Sequence, residues 1–519
     1  MVRTSGHPCG SFRRAGVVTI GRVCAGMVLA VLVSLLDAAS TNAMDRRAVA
    51  GAGAASDKVW GWGRNDGGQL GDGTKVTRMA PVRVGELTGI VDVAAGHFHS
   101  LAVGADGTVW SWGEDPAHSV GMNEVSCEDS PPTRSPVQVD GLADVAEVST
   151  GDFFSVARKS DGTVWAWGLN HRGVVGSDDV LGCDPYPAYF GPRQVGGLSE
   201  VVEVDVGTGH TLALKSDGTV WSWGGNDEGE LGDGTTQWRS TPGRVDGLIG
   251  IVDISAGPAF NLALSSDGSV WAWGRNYDGQ LGDGTTTDRM APVRVSGLSD
   301  VVSVEGGGSH SLAILSSGTV QAWGGNANGE LGNGTRIDRS TPGPVQNLTK
   351  VVQVSADAYH GLAVRSDGSV WAWGMNMHGE IGDDSDRQRR TPVQVRGLKG
   401  AVVASAGASY SLAVAAEVSR SQSHVTMSLS KTPRDGTSRV QVRGTLSPKH
   451  PGLQVDVTLF EENSAGVFRV KEIKRPTLDD SGDFATSLRR RHRGTCKVVV
   501  AFPGDADHLP SKVEQRFSC

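Results

Sequence analysis

Between residues 59 and 416 the chain alternates short apolar runs with glycine-rich polar breaks. The unit "HSLAVGADGTVWSWG", His99 to Gly113, is representative. An apolar strand runs into an Asp-Gly pair, and a second strand follows. Asp-Gly between alternating apolar runs predicts a hairpin, because a type I′ turn needs positive φ at its centre. The pairs are Asp106-Gly107, Asp161-Gly162, Asp217-Gly218, Asp267-Gly268 and Asp367-Gly368, with Ser317-Gly318 standing in once. The strand after the turn begins at Val59, Val109, Val164, Val220, Val270, Val320 and Val370, in steps of 50, 55, 56, 50, 50 and 50 residues. A period near 50 built of four short strands predicts propeller blades.

In a strand, residues two apart share a face. Trp110 and Trp112 therefore point together, and their recurrence in each unit reads as packing between blades. Gln321 replaces the first Trp of one unit. His99, His210, His310 and His360 share one slot, which Phe154, Phe260 and Tyr410 fill in the other units. Aromatic replacements break any ligand set, so the ring is read as packing with a hydrogen-bonded tip. "LGDGT" and "LGNGT" put Asp72, Asp233, Asp283, Asn333 and Asp383 at one place. This pattern could suggest calcium, but Asp and Asn interchange there as turn-capping residues. No metal, cofactor or catalytic residue is assigned, and the chain is expected not to be an enzyme.

The spaced pattern "NxxGxLGxGT…P…V…L…VVxVxxGxxHSLAL…DGxVWxWG" resembles the regulator of chromosome condensation repeat over 59–416. The resemblance implies an all-β, seven-bladed β-propeller. The first unit lacks a preceding "HSLAV" strand, and the last, "YSLAV" at Tyr410 to Val414, lacks a following "VWxWG". The two halves are expected to complete one blade, an N/C-terminal strand closure that removes the open edge. After a polar linker at 417–424, alternating strands over 425–519 resemble bacterial immunoglobulin-like domains, which implies a C-terminal β-sandwich.

Charge and cysteines bear on compartment. The propeller region holds 24 Lys and Arg against 42 Asp and Glu, while residues 417–519 hold 17 against 12. An acidic body disfavours nucleic acid as a partner. Residues 1–43 read as a signal peptide: Arg13, Arg14 and Arg22, then the apolar run Val23–Leu36, then small residues to Ala43. Residues 44–58 read as a linker. The chain is expected to be secreted or held at the cell surface, with a membrane contact only through an uncleaved signal. Cys127, Cys183, Cys496 and Cys519 remain in the mature chain, an even count that favours disulfides outside the cytosol. Equivalent positions on adjacent blades pair Cys127 with Cys183, and Cys496 and Cys519 can close the last hairpin.

Two units carry insertions in place of "LGDGT". One holds Cys127. The other presents Tyr186, Tyr189 and Phe190 beside Trp238, which stands where sister units have Thr77, Asp288 or Asp338. Exposed aromatics on loops over a rigid scaffold are candidates for partner contacts, the alternative being that they only cover the long loops. The basic run Leu488–Lys497 could touch anionic wall polymer or be a solvated edge. The family resemblance implies guanine nucleotide exchange and chromatin binding, which an exported acidic chain gives no reason to carry over. Exported propellers of the family that inhibit β-lactamases are a precedent for the class. The expected role is an exported scaffold that binds an extracellular protein through propeller-face loops. The alternatives are a surface adhesin or wall-binding protein and a glycan-active enzyme.

Overall fold

In the computed structural model the described residues are 57–518, apart from 115–131, 179–181, 184–185, 188, 417–423, 433–438, 448–453, 463–467, 480, 490–494 and 503–510. Seven four-stranded antiparallel sheets, here called blades, occupy residues 58–415, an arrangement consistent with a β-propeller. Blade 1 comprises Ile90–Ala95, His99–Gly104, Val109–Gly113 and Thr133–Gln138. Blades 2 to 6 begin at Val145, Val201, Ile251, Val301 and Val351 in the same order. Blade 7 joins both ends of the repeat region. Lys58–Gly63 pairs with Tyr410–Ala415, flanked by Arg78–Arg83 and Ala401–Ala406.

The two tryptophans of each motif differ in depth. Trp62, Trp112, Trp167, Trp223, Trp273, Trp323 and Trp373 are fully buried. Most donate Nε1–H to a loop carbonyl of the preceding blade, as in Trp112 to Gln69 O (2.8 Å) and Trp273 to Glu230 O (2.8 Å). The seam tryptophan is thereby both packing and latch. The first Trp is half-buried at Trp110, Trp165, Trp221, Trp271 and Trp371 and buried at Trp60; Trp165 lies under Lys159 Nζ at 4.2 Å.

The histidine slot forms a second latch. His99 Nε2 meets Ser155 Oγ (2.8 Å), His210 Nε2 meets Asn261 Oδ1 (2.7 Å), and His360 Nε2 meets Ser411 Oγ (2.9 Å). Tyr410 Oη meets Ser100 Oγ at 2.8 Å. Each contact joins one blade to the slot one residue later in the next blade. Neither ring nitrogen of His310 has a hydrogen-bond partner among the described residues, and the matching slot in blade 6 is Gly361, which has no side chain to offer. Burial pushes His99 and His310 down to about 4 and His360 to about 3, so these rings are neutral near pH 7.

The "LGDGT" aspartates act as turn caps. Asp72 Oδ1 accepts Thr74 N–H (2.9 Å), and Asp72 Oδ2 pairs with Arg78 (2.6 Å). Asp283 repeats this with Thr285 and Arg289. Their acceptors are committed within the loop.

Beyond residue 423, two four-stranded sheets share one apolar core that includes Val442, Leu459, Phe484, Val498 and Phe502. Cys496 is buried in Thr495–Phe502 and is disulfide-bonded. Cys127 and Cys519 lie outside the described residues, as do residues 1–56 and the linker 417–423, and the side chain of Cys183 is likewise outside them.

Candidate functional site at the loop end

Because blade strands alternate in direction, loops emerge at two ends. One end carries the Asp-Gly turns. The other carries the loop after the innermost strand and the long loop between the third and outermost strands. Backbone bonds tie these two loops together within a blade: Arg64 N–H to Ser409 O (2.9 Å), Glu114 N–H to Phe98 O (2.9 Å) and Met375 N–H to Tyr359 O (2.9 Å).

The loop end collects exposed apolar side chains. On the outer loops stand Val76, Trp238, Tyr277, Ile337 and Met377, with Ile337 72% and Met377 71% exposed. On the inner loops stand Phe153 and Tyr359. Among the described propeller residues, Ile249 is the one large hydrophobic exposed on a loop of the opposite end. Scattered surface apolars are ordinary; what sets these apart is that they gather on the loops of one end.

At the axis the same end carries a charged cluster. His97 Nδ1 lies 2.6 Å from Asp152 Oδ1, and its Nε2 lies 3.5 Å from Asp357 Oδ1. Asp152 belongs to the adjacent blade 2. Asp357 belongs to blade 6 and reaches His97 past blade 7. Burial alone lowers the imidazole's pKa; the carboxylates of Asp152 and Asp357 outweigh it and push it up to about 11. His97 is therefore an imidazolium at neutral pH. Beside it Phe98 stacks on Phe153, with centroids 4.9 Å apart and planes at 10°.

Of the residues named from the sequence, Trp238 is on this face and 52% exposed. Tyr186 and Tyr189 fall in the short strands Tyr186–Pro187 and Tyr189–Gln194, and their side chains lie outside the described residues. Phe190 is corrected: it is buried rather than presented. It pairs with Gly168, joins the core with Val174 and Val175, and is covered by Arg193 at 4.0 Å. The sequence reading missed His97, Asp152, Asp357, Tyr277, Ile337 and Met377. The signal was the one that singled out Trp238, a departure from the repeat. Asp357 stands where the other six blades have glycine (Gly96, Gly151, Gly207, Gly257, Gly307, Gly407), and Tyr277 and Met377 where two units have Asp66 and Asp227.

Residues 58–413 match the family model described as RCC1-like domain. Human E3 ubiquitin-protein ligase HERC2 is 31% identical over 192 residues, 36% of this chain and 4% of the ligase. Protein pim1 of Schizosaccharomyces pombe is 31% identical over 191 residues, 34% of this chain and 35% of that protein. The chain thus matches about a third or less of these relatives' own length. A solved structure of Kap60 bound to yeast RCC1 (Prp20) superposes with a TM-score of 0.61 at 22% identity, covering 70% of this chain and 90% of that one; this likeness concerns the fold alone. The comparison with HERC2 overturns the expectation of a chain without enzymatic activity, because relatives that share this domain include enzymes; the ligase activity itself is that of HERC2. With the family model spanning all seven blades, the chain belongs to the RCC1-like domain family.

Proposed function

We propose that this chain is an exported protein-interaction propeller that binds a protein partner through its loop end. The observation that carries the reading is the one-sidedness of the large apolar residues exposed on the described propeller loops: Trp238, Tyr277, Ile337 and Met377 stand at one end, and Ile249 is the one such residue at the other. Large apolar and aromatic side chains on a rigid frame are what binding hot spots are made of. A propeller of the same fold, yeast RCC1, has been crystallised with Kap60 bound, which supports the platform role without naming this chain's partner. Export rests on the signal-like segment of residues 1–43 and is supported by the disulfide at Cys496. Residues 425–519 are read as an immunoglobulin-like sandwich acting as spacer or wall contact, and its two sheets around one core support that.

The test is retention of proteins from culture supernatant and cell-wall extract by the mature chain, beside the variant Trp238→Ala/Ile337→Ser/Met377→Ser. The reading expects a defined species to be retained by the first and lost with the second while thermal melting is unchanged. Equal retention by both would remove the loop end from the account. N-terminal sequencing of the protein from the medium tests export, with a start after Ala43 expected.

A further inference from the structure

We infer that the loop end accepts a basic side chain of its protein partner into the channel mouth, with the surrounding apolar residues packing around it. This rests on the interaction reading above and adds the chemistry of the partner. The mouth is a cavity of about 110 Å³, whose lining sets Asp152, Asp205, Glu305 and Asp357 against the single cationic side chain of His97. Below it the channel widens to about 460 Å³, where Asp92 and Glu203 join the lining, Glu147 is paired with Arg158 (2.7 Å), and no Lys, Arg or His stands among the described lining residues. A cleft lined by one sign of charge concentrates the field at its opening and draws the opposite charge.

The acidic groups differ in what the fold asks of them. Asp205 accepts Ala256 N–H (2.9 Å) and Ser149 Oγ–H (2.9 Å), and Glu305 Oε1 lies 3.4 Å from Ala356 N. Ser255, Ser355 and Ser405 do the same work for the next blade's inner strand. These groups staple blade to blade. Asp152 and Asp357 lie beyond those staples. In the other blades the slot of Asp152 holds His97, Thr208, Pro258, Gly308, Ala358 and Ala408, so the fold imposes no carboxylate there. At the slot of Asp357, an added Cβ on Gly151, Gly207 or Gly307 would come within 2.4 Å of the neighbouring ring. Blade 6 admits a side chain because its inner strand runs one residue longer, Val351–Asp357, with Asp357 paired to His360. The mouth acids are thus additions to the repeat rather than parts of it.

Phe153 and Tyr359 neighbour Asp152 and Asp357 in the chain, and Phe98 stands next to His97. Their rings offer walls to the aliphatic stem of a Lys or Arg and faces to its charge. A partner surface with one basic side chain ringed by apolar residues matches this end in both charge and polarity.

The test pans a random peptide library displayed on phage against the full mature chain, against Asp152→Thr/Asp357→Gly, and against Ile337→Ser/Met377→Ser. The first double variant copies residues that sister blades already carry, and melting curves check that the fold is kept once His97 has lost both carboxylates. The inference expects peptides from the unmodified chain to share a Lys or Arg between apolar residues. Replacing that residue by norleucine in a synthetic copy should weaken binding about tenfold, as should Asp152→Thr/Asp357→Gly, in keeping with loss of a charge-assisted contact. Added salt should weaken it further. Peptides that are apolar without a basic preference, and lost on Ile337→Ser/Met377→Ser, overturn this inference and leave the loop-end reading standing. A basic preference that persists on Asp152→Thr/Asp357→Gly also overturns it. A library that yields nothing above background on the unmodified chain overturns both.

Discussion

At the turn end of the propeller, Asp106, Asp161, Asp217, Asp267 and Asp367 each accept the backbone N–H and the hydroxyl of a Thr or Ser two residues on. Those bonds hold their carboxyls below the usual range, and the end is nearly the same from blade to blade. At the loop end the same frame carries Trp238, Tyr277, Ile337 and Met377, each at a slot where another unit is polar or small. Both ends hang on the same seams, so the difference does not come from the fold. It teaches that regularity records what the ring needs and irregularity records what the ring is used for.

The largest effect should erase the comparison altogether. Trp273→Ala removes a fully buried side chain and its bond to Glu230, and should cost about 3–5 kcal/mol. Chemical denaturation should show the loss, and both ends should become protease-sensitive together. Next, Trp238→Ala/Ile337→Ser/Met377→Ser should lower affinity for the partner at least about 100-fold, since residues of this kind each contribute on the order of 2 kcal/mol or more. Ile249→Ser at the turn end should leave it unchanged, although Ile249 is 84% exposed.

Acid and alkali should separate seams from loop end. An unfolded histidine protonates near 6.5, whereas buried His99 and His310 do so only near 4 and His360 near 3. The unfolded chain therefore takes up more protons over this window, and stability falls as pH drops from about 6.5 toward 4. His310→Phe, which copies Phe260, should flatten that slope in denaturant titrations. His97 has the opposite sign. Its contribution is complete below about 6.5 and is lost as pH rises through about 11. Hydrogen exchange at rising pH, corrected for intrinsic rates, should thus loosen the residue 96–98 loop before the seams. Smallest of all, Asp217→Ala should leave partner binding unchanged and shift melting by roughly 1 °C.

Much of the frame was readable in the sequence because the ring repeats its own rules. The Asp-Gly pairs, the seam tryptophans and the histidine slot each recur at a fixed distance, and period and polarity suffice to read them. The site was readable only where one residue broke a slot conspicuously, as Trp238 did. Met377 and Tyr277 break one shared slot, which Asp66 and Asp227 fill elsewhere, and exposure separates them from Phe190, which lies in an equally irregular stretch and turns inward. His97 and Asp357 meet across blade 7, so their contact depends on how the ends of the repeat region come together. His310 loses its partner for a reason written in a different blade, at Gly361.

The most direct test of the loop end as the binding end is quantitative mass spectrometry of what three forms retain from the culture medium. These are the mature chain, Ile249→Ser, and Trp238→Ala/Ile337→Ser/Met377→Ser, all with matching melting curves. The account predicts a common protein retained in equal amount by the first two and depleted from the third. Its retention by the third form, or its loss with Ile249→Ser, would contradict it.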